Sequence, residues 1–229
     1  MKNIYNIEKI IENLYRKGYT NFISPKELME IKRKIPSHEY KIYELYKESQ
    51  KVILYKDKLP EICLLKINNS EDLKHQDIMG AIFSLGLKED TFGDIIKYEN
   101  NFYFYIDPTL KDFIIYNLTN IKSNNTTIEE VDNKLSENFM QEYIKKEIIV
   151  SSLRIDNVIS TLINTSRSDI LLKFKNKEII YNYKEITKPT YQLNIGDTFS
   201  IRRYGKYKYN GILKNTKKGG FIIEILQYK

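Results

Sequence analysis

The sequence predicts an α+β protein whose chain divides into three domains, residues 1–60, 61–148 and 149–229. Apolar residues in the first domain recur at helical spacing. The second domain alternates short apolar strands with amphipathic helices. The third combines two short helices with several strands and carries the excess positive charge of the chain. We therefore expect a small helical domain, a mixed middle domain, and a C-terminal domain of two helices and a small β-sheet.

The first domain contains two clear helix signals and one weaker signal. Four apolar residues of "NIEKIIENLYRKGY" share one helical face: Ile7, Ile10, Ile11 and Leu14. Ser24 followed by Pro25 is typical of a helix cap with proline at the first helical position. Ser37 can cap a third helix through "HEYKIYELYKESQ", and "KVILYKD" then predicts a strand.

The middle domain follows the order strand, helix, strand, strand, helix, strand. The predicted elements are "EICLLKIN", "DLKHQDIMGAIFSLGL", the hairpin "DIIKYENNFYFYID" with a turn at Glu99-Asn100-Asn101, "PTLKDFIIYNLTNI" and "NTTIEEV". This order is that of the split βαβ sandwich, the ferredoxin-like or RRM-like plan. The aromatic run Phe102–Tyr105 lies where such a sheet either stacks RNA bases or packs its own core.

Charge is the strongest compositional signal of function. The chain carries a formal net charge of +7, while residues 151–229 contain 15 basic and 6 acidic residues, a net of +9. A basic segment on a near-neutral body favours a polyanion partner, and the alternative is a solvated lysine-rich surface. No apolar run has the roughly 20 residues that span a bilayer, and the start lacks a secretory pattern. Cys63 is the one cysteine, so no internal disulfide can form, which suits the reducing cytoplasm. We also expect a monomer without membrane contact.

Each helix of the last domain opens with an arginine, although a helix start favours acids. One buried face is predicted from Ile155, Val158, Ile159, Leu162 and Ile163. Arg154 and Asn157 then point away from it, and Thr165 or Ser166 caps a second helix opened by Arg167. These arginines either await a phosphate at the helix start or pair with nearby acids such as Asp156 and Asp169.

The segment "EIIYNYKE" predicts a strand with a tight turn near Asn182-Tyr183. The later strand "IRRYGKYKYNG" alternates in charge. One predicted face carries Arg202, Tyr204, Lys206 and Lys208, and the other carries Arg203, Gly205, Tyr207 and Tyr209. Basic side chains with an interleaved tyrosine suit contact with a nucleic-acid backbone and stacking on a base or ribose. The alternative is an edge strand whose lysines protect it against aggregation. Lys214, Lys217 and Lys218 add diffuse attraction.

Spaced motifs over residues 150–203 resemble the S4 RNA-binding domain. The matching positions are Arg154, Ile155, Asp156, Ser166, Arg167, Ile179, Tyr181, Asn182, Gly196 and Asp197. The glycine that usually ends the second helix is replaced by Asn176-Lys177, where asparagine tolerates the left-handed cap. Lys173 stands where the family usually has an apolar residue.

The motif "HQDIMGAIFSLGLKEDTFGDII" and the tail "RRYGKYKYNGILKNTKKGGFIIEI" extend the resemblance to the YlmH family of bacterial S4 proteins. That resemblance implies a non-enzymatic protein that binds rRNA of the large (50S) ribosomal subunit and tRNA, in the quality control of ribosomes stalled with peptidyl-tRNA. The expected RNA-binding residues, on one shared surface, are Arg154, Asn157, Ser166, Arg167, Ser168, Lys173, Arg202, Arg203, Tyr204, Lys206 and Lys208.

Nothing in the sequence predicts catalysis. His38 and His75 fall in different predicted domains, Cys63 lies mid-strand, and no Cys/His cluster or phosphate loop is present. We therefore expect no catalytic residue, metal or cofactor. Two alternatives remain: an RNA-modifying enzyme with an unrecognised catalytic domain, or an interaction protein linked to cell division.

Overall fold

The structure is a computed structural model that describes residues 2–217 and 219–229, with side chains from residue 6 onward. Lys218, which was expected to add diffuse attraction, lies outside these residues. The chain divides into two compact units, Met1–Met140 and Gln141–Lys229. Its mixture of helices and strands confirms the α+β class. The three-domain division stays a prediction, and none of the described helices is long and apolar enough to cross a membrane.

The first unit begins with two helices and a two-stranded ribbon. These elements are α1 (Lys2–Lys17), α2 (Pro25–Lys34), β1 (Lys41–Glu44) and β2 (Val52–Tyr55). The predicted cap of α2 is confirmed: the Ser24 hydroxyl accepts from the backbone N–H of Glu27, whose carboxylate accepts from the backbone N–H of Ser24 at 2.8 Å. This reciprocal pair satisfies two helix-end donors.

The third predicted helix is wrong. Ser37–Glu39 forms only a single 3₁₀ turn, and the chain then continues as β1. β1 pairs antiparallel with β2, with Lys41 opposite Tyr55. The left-handed φ of 64° at Glu48 reverses the chain between the strands. The ribbon forms because β1 finds a distant partner, which local helical spacing does not reveal.

The first unit continues with a four-stranded antiparallel sheet. Its elements are β3 (Cys63–Asn68), α3 (His75–Ser84), β4 (Phe92–Tyr98), β5 (Asn101–Ile106), α4 (Lys111–Asn117), the short pair β6 (Asn120–Ile121) and β7 (Asn124–Asn125), and β8 (Thr127–Val131). The strand order is β4-β5-β3-β8. The strands β3 and β4, connected through α3, are separated by β5, as the split βαβ plan requires. The predicted hairpin is confirmed, with Glu99 and Asn100 at positive φ.

Both faces of this sheet are covered. Phe102 and Phe104 pack in a core that includes residues of α3 and α4. On the other face Tyr103 and Tyr105 pack against residues of the first 60, Phe22 among them, and against Phe139. All four aromatic residues of the run 102–105 are buried.

The second unit is a six-stranded antiparallel sheet with two helices. Its elements are β9 (Tyr143–Val150), α5 (Ile155–Leu162), α6 (Arg167–Lys175), β10 (Ile179–Tyr181), β11 (Lys184–Glu185), β12 (Thr198–Ile201), β13 (Gly205–Asn215) and β14 (Phe221–Tyr228). The strand order is β11-β10-β12-β13-β14-β9. Both helices pack on one face, called here the inner face, against Tyr207, Tyr209 and Ile225. The opposite side of the sheet is called the outer face.

Burial explains why α5 forms at this place. Ile155, Val158 and Ile159 are fully buried, and each contributes roughly 1.5–3 kcal/mol of apolar transfer free energy. The predicted tight turn after β10 is confirmed, because Asn182 and Tyr183 both have positive φ, as a two-residue hairpin turn requires.

The end of α6 corrects one detail. The left-handed residue is Lys177, with φ of 56°, whereas Asn176 has a φ of −79° and is not the left-handed cap. The backbone N–H of Lys177 donates to the carbonyl of Phe174 at 3.1 Å, so lysine takes the place of the missing glycine.

Candidate nucleic-acid interface

The guanidinium of Arg154 binds a buried carboxylate at the start of α5. Its Nε and Nη2 donate to the two Asp156 oxygens at 3.1 and 2.8 Å, and the Asp156 side chain is 4% exposed. This hydrogen bond and charge raise the pKa of Arg154 above its ordinary value. Of the two alternatives that the sequence left open, the structure shows acid pairing for Arg154. Its guanidinium is already neutralised.

Asn157 holds the segment that precedes α5. Its Nδ2 donates to the carbonyl of Ser152 at 3.0 Å and to the hydroxyl of Ser151 at 3.2 Å. The amide therefore fixes the connection from β9 into α5, and this positions the helix start next to Arg154.

Arg167 has a different environment at the first position of α6. It is exposed, and no acid pairs with it among the residues that the structure describes. Its neighbour Asp169 is engaged instead with Ser166: the Ser166 hydroxyl donates to the carboxylate at 2.6 Å and accepts from the Asp169 backbone at 3.2 Å. Ser168 contacts the same hydroxyl at 2.8 Å. A guanidinium beside free helix-end N–H groups is an arrangement that can receive a phosphate.

A second group of the predicted residues lies where α6 ends beside the β12–β13 turn. Lys173 Nζ is 3.0 Å from a Glu178 oxygen and 5.4 Å from the ring centre of Tyr204. The backbone N–H of Arg202 donates to the Glu178 carbonyl at 3.0 Å. The hydrogen bond from Lys173 lowers the pKa of Glu178, so this carboxylate stays charged and holds the lysine near the turn.

The strand alternation predicted for residues 202–209 is correct only in part. Residues 202–204 form the turn between β12 and β13, and Arg203 has a φ of 72°. Arg202, Arg203 and Tyr204 are therefore exposed at a turn and do not lie on strand faces. From Gly205 onward the alternation holds, because Tyr207 and Tyr209 are buried on the inner face.

Lys206 and Lys208 lie on the outer face, opposite the helices. The Lys206 Nζ lies between two tyrosine rings, 4.8 Å from the centre of Tyr183 and 4.5 Å from that of Tyr228. The Lys208 Nζ lies 5.8 Å from the ring centre of Tyr143. Sequence reasoning missed these three tyrosines, because no single tyrosine stands out in a chain that contains 19 of them.

The expectation of one shared surface is therefore corrected. The predicted residues form three groups: the helix starts with Arg154, Asn157, Ser166, Arg167 and Ser168; the α6–turn edge with Lys173, Arg202, Arg203 and Tyr204; and the outer face with Lys206 and Lys208. Arg167 and Lys173 are six residues apart and project about 120° from each other around the helix axis.

The remaining residues that match the S4 pattern connect the turn after β10 to the loop before β12. Asp197 accepts hydrogen bonds from the Tyr181 hydroxyl at 2.5 Å, the Asn182 side chain at 2.8 Å and the Asn194 backbone at 2.7 Å. Burial and this carboxylate raise the pKa of Tyr181, so its hydroxyl remains a donor. Gly196, with a φ of 91°, completes the turn.

The middle sheet offers no exposed aromatic ring, and the segment that contains it is acidic overall. Residues 60–135 contain 13 acidic and 7 basic residues, a net of −6. Burial raises the pKa of the Cys63 thiol to about 11, which keeps it protonated at neutral pH. Within the described part of the chain, no cluster of His, Cys, Asp and Glu is arranged to hold a metal ion.

Comparison with known proteins adds the family context. Residues 60–135 match the family model described as "Putative RNA-binding domain in YlmH". A curated relative, "Ribosome-associated protein quality control protein P2" of Bacillus subtilis (strain 168), is 30% identical over 145 residues, which cover 63% of this chain and 56% of the relative. The match thus spans little more than half of the relative's length. The solved "Cell division protein ylmH from Streptococcus pneumoniae" matches with a TM-score of 0.48 and 17% identity, over 59% of this chain and 92% of that chain. The family match and the curated relative agree with the YlmH resemblance found in the sequence, and the family model places that similarity on residues 60–135, about a third of this chain.

Proposed function

We propose that this chain is a non-enzymatic RNA-binding protein of ribosome-associated quality control, which binds structured rRNA and tRNA on large ribosomal subunits that hold peptidyl-tRNA. The name of the Bacillus subtilis relative supports the pathway, and the family description supports RNA as the ligand. The observation that carries the proposal is the exposed guanidinium of Arg167 at the N-terminus of α6, without an acidic partner in the described chain.

The second unit supplies the electrostatic attraction. Residues 141–229 contain 17 basic and 8 acidic residues, a net of +9, while the rest of the chain is near neutral. Such a unit approaches a polyanion in a preferred orientation and binds it more weakly as salt increases.

Recognition would use phosphate and shape. Arg167 and the free N–H groups of α6 would bind one backbone phosphate, since both donate to anions. Arg202 would contact a neighbouring stretch of backbone, while Lys173 stays paired with Glu178 and supports the turn. Tyr204, 43% exposed at the turn, would stack on an unpaired base or ribose. Arg154 and Asn157 would act indirectly by fixing the start of α5.

Sedimentation of cell extract through a sucrose gradient tests the proposal. The full chain is expected to migrate with free large subunits, and tRNA is expected in the material that a tagged chain recovers from those fractions. The double variant Arg167→Glu plus Arg202→Glu is expected to stay at the top of the gradient. Lys9→Glu plus Lys32→Glu, which reverses two exposed charges on the first unit, serves as the matched control and is expected to sediment with the subunits.

Two results would contradict the proposal. In the first, the double variant sediments like the unchanged chain, which would mean that Arg167 and Arg202 do not contact the RNA. In the second, the unchanged chain never sediments with ribosomal particles at about 50 mM salt, where phosphate contacts are strong.

A further inference from the structure

The outer face of the second unit carries a surface that the helix-side interface does not explain. It consists of Lys206 and Lys208 on β13 and three tyrosines, Tyr143, Tyr183 and Tyr228, and is called here the tyrosine–lysine face. We propose that it is a second RNA site, which binds single-stranded RNA by stacking bases on the tyrosines and contacting phosphates with the lysines. The choice of RNA as the polyanion rests on the proposed function.

Sheet geometry separates this face from the helices. Neighbouring side chains along β13 point to opposite sides, so buried Tyr207 on the inner face places Lys206 and Lys208 on the other side. Tyr228 lies opposite Tyr143 in the β14–β9 pairing and, next to inner-face Gln227, points to the outer side. Tyr183 reaches the same side from the β10–β11 turn.

The rings and ammonium groups interleave across the sheet. The Tyr143 and Tyr228 ring centres are 5.0 Å apart with an interplanar angle of 68°, and Lys206 lies between Tyr228 and Tyr183. All five side chains are half-buried, so their positions are fixed while part of each ring and amine faces solvent. A stacking ring beside a cation is the combination that single-strand binding grooves use.

This arrangement favours single-stranded RNA over a folded helix or a membrane. A duplex hides its bases and would use only the lysines, whereas an unpaired base has a free face for a ring. Binding to a membrane surface uses apolar side chains that insert into the lipid. Here the tyrosine rings lie against lysines, which does not favour insertion. The lysines and tyrosines contact one another in the free protein, and a bound strand would add its phosphates and bases to these contacts.

Two RNA sites on opposite faces would let the second unit join two RNA segments. The helix starts and the α6–turn edge would bind structured RNA, and the tyrosine–lysine face would bind an unpaired strand. The sheet between them is one layer thick, so both sites could be filled without collision.

Fluorescence anisotropy with a labelled twelve-residue oligouridylate and the full chain tests the proposal. Lys206→Gln plus Lys208→Gln should weaken binding about 10-fold and lower the salt slope by about 1.4, since each single-strand phosphate contact contributes about 0.7. Tyr183→Asn plus Tyr228→Leu should weaken binding by a similar factor with an unchanged slope, because stacking is lost and charge is kept. Asparagine tolerates the left-handed φ of 62° at position 183.

Matched variants and a mapping experiment make the result decisive. Lys175→Gln plus Lys188→Gln, which removes two exposed charges outside both sites, should leave oligouridylate binding within about twofold. Arg167→Glu plus Arg202→Glu then reports whether the helix side binds the strand instead. Ultraviolet crosslinking followed by peptide mass spectrometry should place uridine on Tyr183 or Tyr228. Circular dichroism of each variant checks that the unit remains folded.

The second site is overturned if the lysine and tyrosine variants bind oligouridylate like the unchanged chain, or if only the arginine pair abolishes binding. It is also overturned if the two lysines instead govern binding to phosphatidylserine vesicles. Loss of the proposed function looks different: the chain would fail to sediment with large subunits while oligouridylate binding and its dependence on the two lysines persisted.

Discussion

The two helix-opening arginines should differ in how they affect salt-dependent RNA binding. Arg167 is exposed and has no acidic partner within the described chain, whereas the Arg154 guanidinium is bound to Asp156 at 2.8 and 3.1 Å. We therefore expect Arg167→Gln to remove one phosphate contact and Arg154→Gln to remove none. The sequence treats the two positions alike, so only the structure makes this distinction.

The size of the difference follows from counterion release. One phosphate contact contributes about 0.7–0.9 to the slope of log K against log salt, so Arg167→Gln should lower the slope by that amount. Between about 50 and 200 mM salt the unchanged chain should lose roughly threefold more affinity than this variant. Arg154→Gln should keep the slope of the unchanged chain, although it should lower thermal stability, because Asp156 stays buried without its partner.

Binding of purified large subunits, measured by filter retention over a salt series, provides both slopes. Lys214→Gln on the same unit is the control for loss of one exposed charge. If folded Arg154→Gln lowers the slope as much as Arg167→Gln does, the pairing with Asp156 does not neutralise Arg154 in the complex, and the two arginines are equivalent.

Three further predictions concern stability. Asp197→Ala should lower the free energy of unfolding by about 2–4 kcal/mol, because the Tyr181 hydroxyl and its neighbours lose a charged acceptor; urea unfolding monitored by circular dichroism checks this, and a change below about 0.5 kcal/mol would contradict it. Gly93→Ala should lower the free energy of unfolding by about 1–3 kcal/mol, since the new Cβ would lie 2.7 Å from Leu45 Cδ1. Unchanged hydrogen-exchange protection of peptides from the first unit would argue against this. Burial raises the pKa of Asp94 on β4. The protonated carboxyl therefore contributes to folding stability fully below its ordinary pKa of 3.8, and this contribution is lost as pH rises through the folded-state pKa. The unchanged chain should lose stability relative to Asp94→Asn across that window, and a difference in urea midpoints that does not depend on pH would refute the assignment.

Local signals predicted the elements whose causes are local. The Ser24 cap, the Ser166 cap and the Asn182-Tyr183 turn each depend on residues within a few positions, and each is present. The helix expected from Ser37 failed because β1 is stabilised by pairing with β2 and by packing that extends beyond this segment. Helical spacing in a short apolar run cannot distinguish these outcomes.

The sequence identified the residues of the candidate site, but it could not show which of them share one surface of the folded unit. The charge count correctly located the basic unit, and the alternation of residues 205–209 is present. Which sheet face meets the helices depends on the long-range order of six strands, so the sequence could not show that Lys206 lies opposite Arg167. The pairing of Arg154 with Asp156 likewise depends on burial, which the sequence left open.

The fold also changes how the YlmH-type domain can contribute to binding. In an RRM-like sheet the exposed aromatic face is where bases would stack, yet Tyr103 and Tyr105 are buried beneath Phe22, Leu45 and their neighbours. Uncovering that face would expose a packed aromatic core, and the net charge of −6 on residues 60–135 would repel a polyanion. Gly93 reinforces the cover, because Leu45 occupies the space that a side chain would need. RNA contact by this domain would therefore use its helices or edges, and attraction to the phosphate backbone would come from the second unit.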